Sequence, residues 1–143
     1  MRRREKKSSR RRRTRAVDGG ALLFVYGTLR AASGHPMHRR LRAKAEFIGA
    51  GSFRGRLYDL GTFPGAVASL SNTERVHGEI YRLREPERAF RMLDAYEDTA
   101  FRRAEVTIRG ADGTARRCWI YLYGRSLKRF PRISSGDFIR RHG

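Results

Sequence analysis

The alternation of apolar and polar residues predicts most of a β-sheet. Residues 22–26 form a continuous apolar run, and residues 76–83 (VHGEIYRL) alternate with a period of two. Residues 101–109 and 116–123 alternate as well, and the Asp112-Gly113 pair between them is typical of a β-hairpin turn. Residues 46–60 predict one long bent strand or two short ones. A turn over residues 61–65 then leads into a short strand over residues 66–70.

Two segments have helical spacing instead. Residues 35–44 place Met37 and Leu41 four apart on one face, and Pro86 stands where a second helix would begin. Ala89 and Leu93 continue the apolar face of that second helix. The order of strand, helix, strands, helix and hairpin predicts an α+β domain with a largely antiparallel sheet, open or closed into a barrel.

Charge is concentrated at the start of the chain. The net charge is +19, and residues 1–16 contain ten Lys or Arg and one Glu, without any hydrophobic pattern. We expect a basic disordered tail over residues 1–20, a folded domain over residues 21–127, and a basic C-terminal tail over residues 128–143 with one short helix from Ser135. The N-terminal tail is either a weak, non-specific binding segment for nucleic acid or another polyanion, or a dispensable extension.

Composition excludes several other classes of protein. No apolar run is long enough to span a membrane, and no apolar segment follows the N-terminal charges, so we expect neither a membrane anchor nor a secretory signal. Cys118 is the only cysteine and is expected to be a small core residue, which fits a reducing, cytoplasmic location. The four histidines lack metal-ligand spacing, and we expect no metal.

The first stretch with candidate chemistry is YGTLR, residues 26–30. Gly27 allows close approach of the backbone to a ligand, and successive N–H groups at such a turn can form a concave site for a carboxylate. Arg30 either adds a positive field there or is only solvated. The alternative is an ordinary strand end with a structural glycine.

The second stretch is LDAYED, residues 93–98, with three carboxylates in a strongly basic chain. Because Tyr96 shares the apolar face of the helix, Glu97 would lie at the edge of an apolar pocket. Burial there raises the pKa of a carboxyl group, as a general base near neutral pH requires. The alternative is a solvated acidic helix end paired with Arg102 or Arg103.

Several motifs together resemble a known family. VYGTLR, FPGAV, VHGEIYRL, LDAYED followed by FRR, and WIYLY occur in the order seen in the gamma-glutamylcyclotransferase-like family, over roughly residues 21–125. This family includes AIG2-like, BtrG-like and gamma-glutamylamine cyclotransferase proteins. The resemblance implies a small mixed barrel flanked by helices. It also implies that Tyr26, Gly27, Thr28 and Leu29 bind the glutamyl end of a substrate through backbone amides.

The resemblance further implies a reaction. Glu97 would be the catalytic acid/base of a gamma-glutamyl cyclotransferase, which releases 5-oxoproline and an amine from a small gamma-glutamyl compound without a cofactor. Tyr123 would be a hydrogen-bonding neighbour of the substrate. Phe101 departs from the tyrosine expected in many relatives, and the basic tail is not part of the family pattern. The alternative function is a non-catalytic binding module on the same fold, with a polyanion-binding tail.

Overall fold

Six strands and two helices make up the computed structural model, which describes residues 21–97 and 99–140. The predicted basic tail over residues 1–20 lies outside the described residues. In chain order the elements are β1 (Leu22–Val25), α1 (Pro36–Lys44), β2 (Ala45–Asp59), β3 (Pro64–Ala68), β4 (Arg75–Leu83), α2 (Pro86–Glu97), β5 (Phe101–Gly110) and β6 (Ala115–Tyr123). Short 3-10 turns follow β1 and end the described chain, at Ala31–Ser33 and Phe138–Arg140.

The strands close into a five-stranded mixed barrel. The sheet order is β3-β2-β4-β1-β6-β5, and an additional pairing of β2 with β5 closes the ring, with β3 outside it on the second half of β2. The pairing of β1 with β6 is parallel, and the other pairings are antiparallel. The predicted α+β barrel is therefore confirmed, and residues 45–59 form one long strand, with a bulge between Phe47 and Gly49.

Alternation along the strands builds two apolar cores. On β1, Phe24 points into the barrel, where it joins residues such as Ile80 and Ile120. Leu23 points outward into a layer between the barrel and the helices, where it joins Leu93 of α2. Neither helix is long and apolar enough, within the described part of the chain, to cross a membrane.

The segment after β6 packs against the barrel. Ile133 and Phe138 are 7% and 4% exposed and belong to the barrel core. The Ile133 N–H donates to the Leu57 carbonyl at 2.8 Å, and the His77 N–H donates to the Gly136 carbonyl at 2.8 Å. The domain therefore extends beyond residue 127, where the sequence predicts its end, because the few apolar residues of this basic segment have no periodicity to reveal that they are buried.

Candidate active site

A cavity of about 310 Å³ opens where β1 and β6 end. Because these strands run parallel, with Leu23 opposite Trp119, their carboxyl ends lie at the same edge of the barrel. The loop after β1 therefore emerges beside the last residues of β6, and the end of α2 closes the same opening. The six residues predicted for the site all line this cavity: Tyr26, Gly27, Thr28, Leu29, Glu97 and Tyr123.

The loop after β1 has its acceptors occupied and its donors open. The Gly27 carbonyl accepts from Arg30 N–H at 3.0 Å, the Thr28 carbonyl accepts from the Ser33 hydroxyl at 2.7 Å, and the Leu29 carbonyl lies 2.9 Å from His38 Nδ1. Within the described part of the chain, no acceptor pairs with the N–H groups of Gly27, Thr28 or Leu29. Three consecutive donors are thus left for a ligand with acceptor atoms.

Gly27 is required for packing rather than for an unusual backbone angle. A Cβ atom at Gly27 would lie 2.7 Å from Cδ and 2.8 Å from Cγ of Pro64, the first residue of β3. The proline ring therefore packs directly on the loop. This close contact explains the glycine, and it holds the three free N–H groups at the edge of the cavity.

The hydroxyl of Tyr26 is used inside the protein. It donates to the Tyr121 carbonyl at 2.5 Å and accepts from the Ala66 N–H at 3.2 Å. Burial, followed by the nearby Glu97 charge, raises the pKa of Tyr26. Tyr26 thus joins β1, β6 and β3 beneath the cavity. Since its hydroxyl is already bonded, its contact with a ligand would be made by the ring.

Glu97, the last residue of α2, is the only charged residue among the described residues that line the cavity. Burial, followed by the negative charge of Asp94, raises its pKa from 4.5 to about 7. No hydrogen-bond donor among the described residues reaches its carboxylate. A carboxyl group that is uncompensated and half-ionised near neutral pH can accept or give a proton there.

The acidic residues around Glu97 separate into different roles. Asp94 accepts a hydrogen bond from the Tyr121 hydroxyl at 2.5 Å and pairs with Arg103 at 3.3 Å, and its side chain is half-exposed. The Arg103 guanidinium also lies 3.9 Å from the ring centre of Phe90. The solvated, arginine-paired alternative thus describes Asp94, but it does not describe Glu97. Asp98 lies outside the described residues.

Arg30 neither faces the cavity nor is solvated, which corrects both expectations for it. Its side chain is 13% exposed and pairs with Asp137 at 2.7 Å and with Glu79 at 3.7 Å. Two carboxylates neutralise its charge, so it adds little field at the ligand. Its role is to tie the loop to β4 and to the C-terminal segment.

Tyr123 and three aromatic residues that the sequence did not assign to the site form one wall of the cavity. We call Phe63, Phe101, Tyr123 and Phe130 the aromatic wall. Edge contacts join Phe63 to Phe101 at 6.0 Å, Phe101 to Tyr123 at 5.3 Å, and Tyr123 to Phe130 at 6.3 Å between ring centres. Phe63 and Phe130 come from loops without periodicity, so no local pattern could have placed them here.

Tyr96 is a further lining residue, which the sequence analysis placed on the apolar helix face. Its hydroxyl lies 2.7 Å from the Thr28 Oγ1, which links α2 to the loop after β1. The histidines near the loop are structural: His35 accepts from the Met37 N–H at the start of α1, and His38 holds Leu29. Among the described residues, no three His, Cys, Asp or Glu side chains are grouped so as to hold a metal ion.

Comparisons with known proteins agree on one family. The family model described as gamma-glutamyl cyclotransferase, AIG2-like, matches residues 23–140. The gamma-glutamylcyclotransferase family protein YtfP of Escherichia coli K12 is 34% identical over 120 residues, covering 83% of this chain and 96% of that protein. The solution structure of E. coli ytfP has a TM-score of 0.58 at 32% identity, over 85% of this chain and 99% of that one.

Two further proteins extend the comparison. The gamma-glutamylaminecyclotransferase of Bos taurus is 33% identical over 140 residues, covering 86% of this chain and 79% of that protein. The crystal structure of YkqA from Bacillus subtilis has a TM-score of 0.66 at 28% identity over 82% of this chain. YkqA is longer, and this chain covers 39% of it.

Proposed function

Because the chain belongs to the gamma-glutamyl cyclotransferase, AIG2-like family, we propose that it is an enzyme that cyclises gamma-glutamyl compounds. The products are 5-oxoproline and an amine or amino acid. One observation carries the proposal. Glu97, whose pKa is near 7, lines the same cavity as the loop that has three free N–H groups. A cytoplasmic location belongs to the same proposal, on the ground of the single cysteine.

The two halves of the site suit the two ends of a glutamyl group. The N–H groups of Gly27, Thr28 and Leu29 would donate to the α-carboxylate, since that loop offers donors and no free acceptor. The α-ammonium would then lie toward Glu97, the only negative charge among the described lining residues. Held in this way, the α-nitrogen is folded back toward the γ-carbonyl carbon, which is the orientation that ring closure needs.

The reaction balances without a cofactor. The α-nitrogen forms a bond to the γ-carbonyl carbon, and the bond from that carbon to the leaving nitrogen breaks. The attacking nitrogen begins as an ammonium and ends as a lactam N–H, so it loses two protons. The leaving nitrogen begins as an amide N–H and departs as an ammonium, so it gains two. Glu97 takes the two protons from the first nitrogen one after the other and delivers each to the second, so it returns to the carboxylate after each transfer.

Release of 5-oxoproline tests the proposal. Purified protein and its Glu97→Gln variant are compared on a panel of gamma-glutamyl amines and gamma-glutamyl amino acids. We expect kcat/KM to fall at least 10²- to 10⁴-fold in the variant, as general acid–base catalysis typically contributes. Glu105→Gln, an exposed carboxyl change on β5, is the matched control and should retain full activity. Turnover that survives Glu97→Gln would exclude Glu97 as the acid/base, and a folded protein inactive on every substrate would favour a binding module.

Polyanion binding by the basic tail remains a separate prediction, supported by the ten Lys or Arg within residues 1–16. Retention on heparin at increasing salt is compared for the full chain and a variant that lacks residues 1–16. Loss of retention with unchanged 5-oxoproline release would make the two activities independent. Unchanged retention would assign the binding to the domain surface.

A further inference from the structure

The aromatic wall lies where the leaving group of a gamma-glutamyl substrate would extend. The loop amides and Glu97 account for the glutamyl end, and the remaining lining is mainly aromatic and aliphatic, with tyrosine hydroxyls as its principal polar groups. Pro64 packs on Gly27, and its neighbour Phe63 stands at the mouth of the cavity with 42% of its surface exposed. A leaving amine that is attached to the γ-carbonyl and must depart to solvent passes along this wall.

A tight turn holds Phe63 at the mouth. The Leu60 N–H donates to the Phe63 carbonyl at 3.0 Å, the Gly61 N–H donates to Asp59 Oδ1 at 2.8 Å, and Gly61 has a φ of +112°. The Phe63 ring then rests by its edge on Phe101, which rests on Tyr123. A large apolar ring that is held half in solvent beside a cavity is a surface that a ligand can cover.

The wall lacks a positive charge that could stabilise an anionic leaving group. The chain contains 33 Lys or Arg, yet none of the described ones lines the cavity, and Arg30 is neutralised by Asp137 and Glu79. A leaving group with a carboxylate, such as an amino acid, would enter an apolar wall without a cation, next to the Glu97 charge. A leaving group with a second ammonium would find only Glu97 as a partner, and it would hold that carboxylate ionised when it must carry a proton.

We propose that the aromatic wall makes this protein selective for gamma-glutamyl amides of neutral, apolar amines, aromatic amines above all, over gamma-glutamyl amino acids. The inference rests on the proposed cyclotransferase function. Edge contacts between a substrate ring and Phe63 or Phe101, and the removal of apolar surface from water, supply the preference. An apolar contact of this size discriminates by about tenfold or more in kcat/KM.

Three substrates that differ only in the leaving group test the inference: the gamma-glutamyl derivatives of benzylamine, methylamine and glycine. We expect kcat/KM to be about tenfold higher or more for the benzylamide than for the methylamide, and lowest for the glycine derivative. Phe63→Ala should reduce the benzylamide-to-methylamide ratio of kcat/KM by about tenfold. Phe47→Ala is the control, because Phe47 is similarly exposed at 47% and packs by its edge on Tyr81, outside the cavity. Thermal melts establish that both variants are folded.

The outcomes separate this inference from the proposed function. Equal or faster turnover of the glycine derivative overturns the selectivity and leaves the cyclotransferase intact. Faster turnover of a gamma-glutamyl diamine with a free ammonium overturns it as well. If no substrate is turned over, the proposed reaction fails, and calorimetric titration of the three compounds into Glu97→Gln decides the selectivity. The selectivity is supported if the benzylamide binds more tightly than the other two compounds and if Phe63→Ala, added to Glu97→Gln, removes this difference. Equal binding of the three compounds, or no binding, overturns it.

Discussion

Replacement of Glu97 by glutamine should make the folded protein more stable at neutral pH while it removes the proposed proton carrier. In the folded chain, burial and the Asp94 charge raise the Glu97 pKa to about 7, against an ordinary value of 4.5. Between pH 4.5 and about pH 7, Glu97 of the folded protein holds a proton that the unfolded chain has released. Unfolding therefore releases a proton there, and stability falls as the pH rises.

The magnitude follows from the same pKa values. At 1.36 kcal/mol for each pKa unit, the cost of keeping Glu97 ionised in the folded state reaches about 3 kcal/mol. The cost is absent below about pH 4 and complete above about pH 8. A glutamine side chain at this position has nearly the same shape and never carries the charge, so the variant avoids this cost.

Urea unfolding at pH 4.5, 6, 7 and 8 measures the effect. We expect the free energies of unfolding of the two proteins to differ by less than about 0.5 kcal/mol at pH 4.5, and the variant to be more stable by about 3 kcal/mol at pH 8, with an unchanged m-value. Glu105→Gln, the exposed control, should follow the original protein at every pH. If the difference between the original protein and Glu97→Gln does not change from pH 4.5 to pH 8, then Glu97 is not held in a desolvated site, and the argument for its pKa fails.

Four more outcomes are expected, each from the surroundings of one residue. For the original protein, kcat/KM for 5-oxoproline release should rise with pH through about 7 as Glu97 ionises, and a pH–rate profile that is flat from 6 to 8 would contradict this. Tyr26→Phe should lower the free energy of unfolding in urea by about 1–3 kcal/mol, because it leaves a buried backbone N–H and a buried carbonyl without their partner. Gly27→Ala should cost about 1–3 kcal/mol and lower kcat/KM, since its Cβ would overlap Pro64; an unchanged melting temperature would mean that the ring moves aside freely. Cys118 is buried, which raises its pKa to about 12, so a thiol reagent should label it only on unfolding, and fast labelling of the folded protein would contradict its burial.

Local patterns predicted the elements that carry the site. The helix from Pro86, with Ala89 and Leu93 inward, lies where the spacing placed it, and both residues are fully buried. That placement set Glu97 at the edge of an apolar pocket. The abrupt end of the first strand likewise marked the loop at Gly27. Periodicity and turn chemistry report on neighbours within a few residues, and these features depend on such neighbours.

The features that were missed depend on contacts between distant parts of the chain. Arg30 and Asp137 are 107 positions apart, and nothing near Arg30 in the sequence indicates its pairing. Phe130 reaches the cavity from a basic, irregular segment for which the pattern predicted a tail. The free N–H groups of the loop were anticipated, but their number depends on which carbonyl and side chain close each turn, and the sequence does not specify that.

Because residues 130–140 pack on the barrel, the site is completed by the part of the domain that is synthesised last. Synthesis runs from the N-terminus, so the five barrel strands leave the ribosome before the segment that supplies Phe130 to the cavity and Asp137 to Arg30. Until then Arg30, in the loop after β1, lacks its nearer carboxylate, and the barrel lacks Ile133 and Phe138 from its core. A nascent chain can therefore assemble its sheet while its site is still incomplete, and the site reaches its final form only when the last part of the domain has docked.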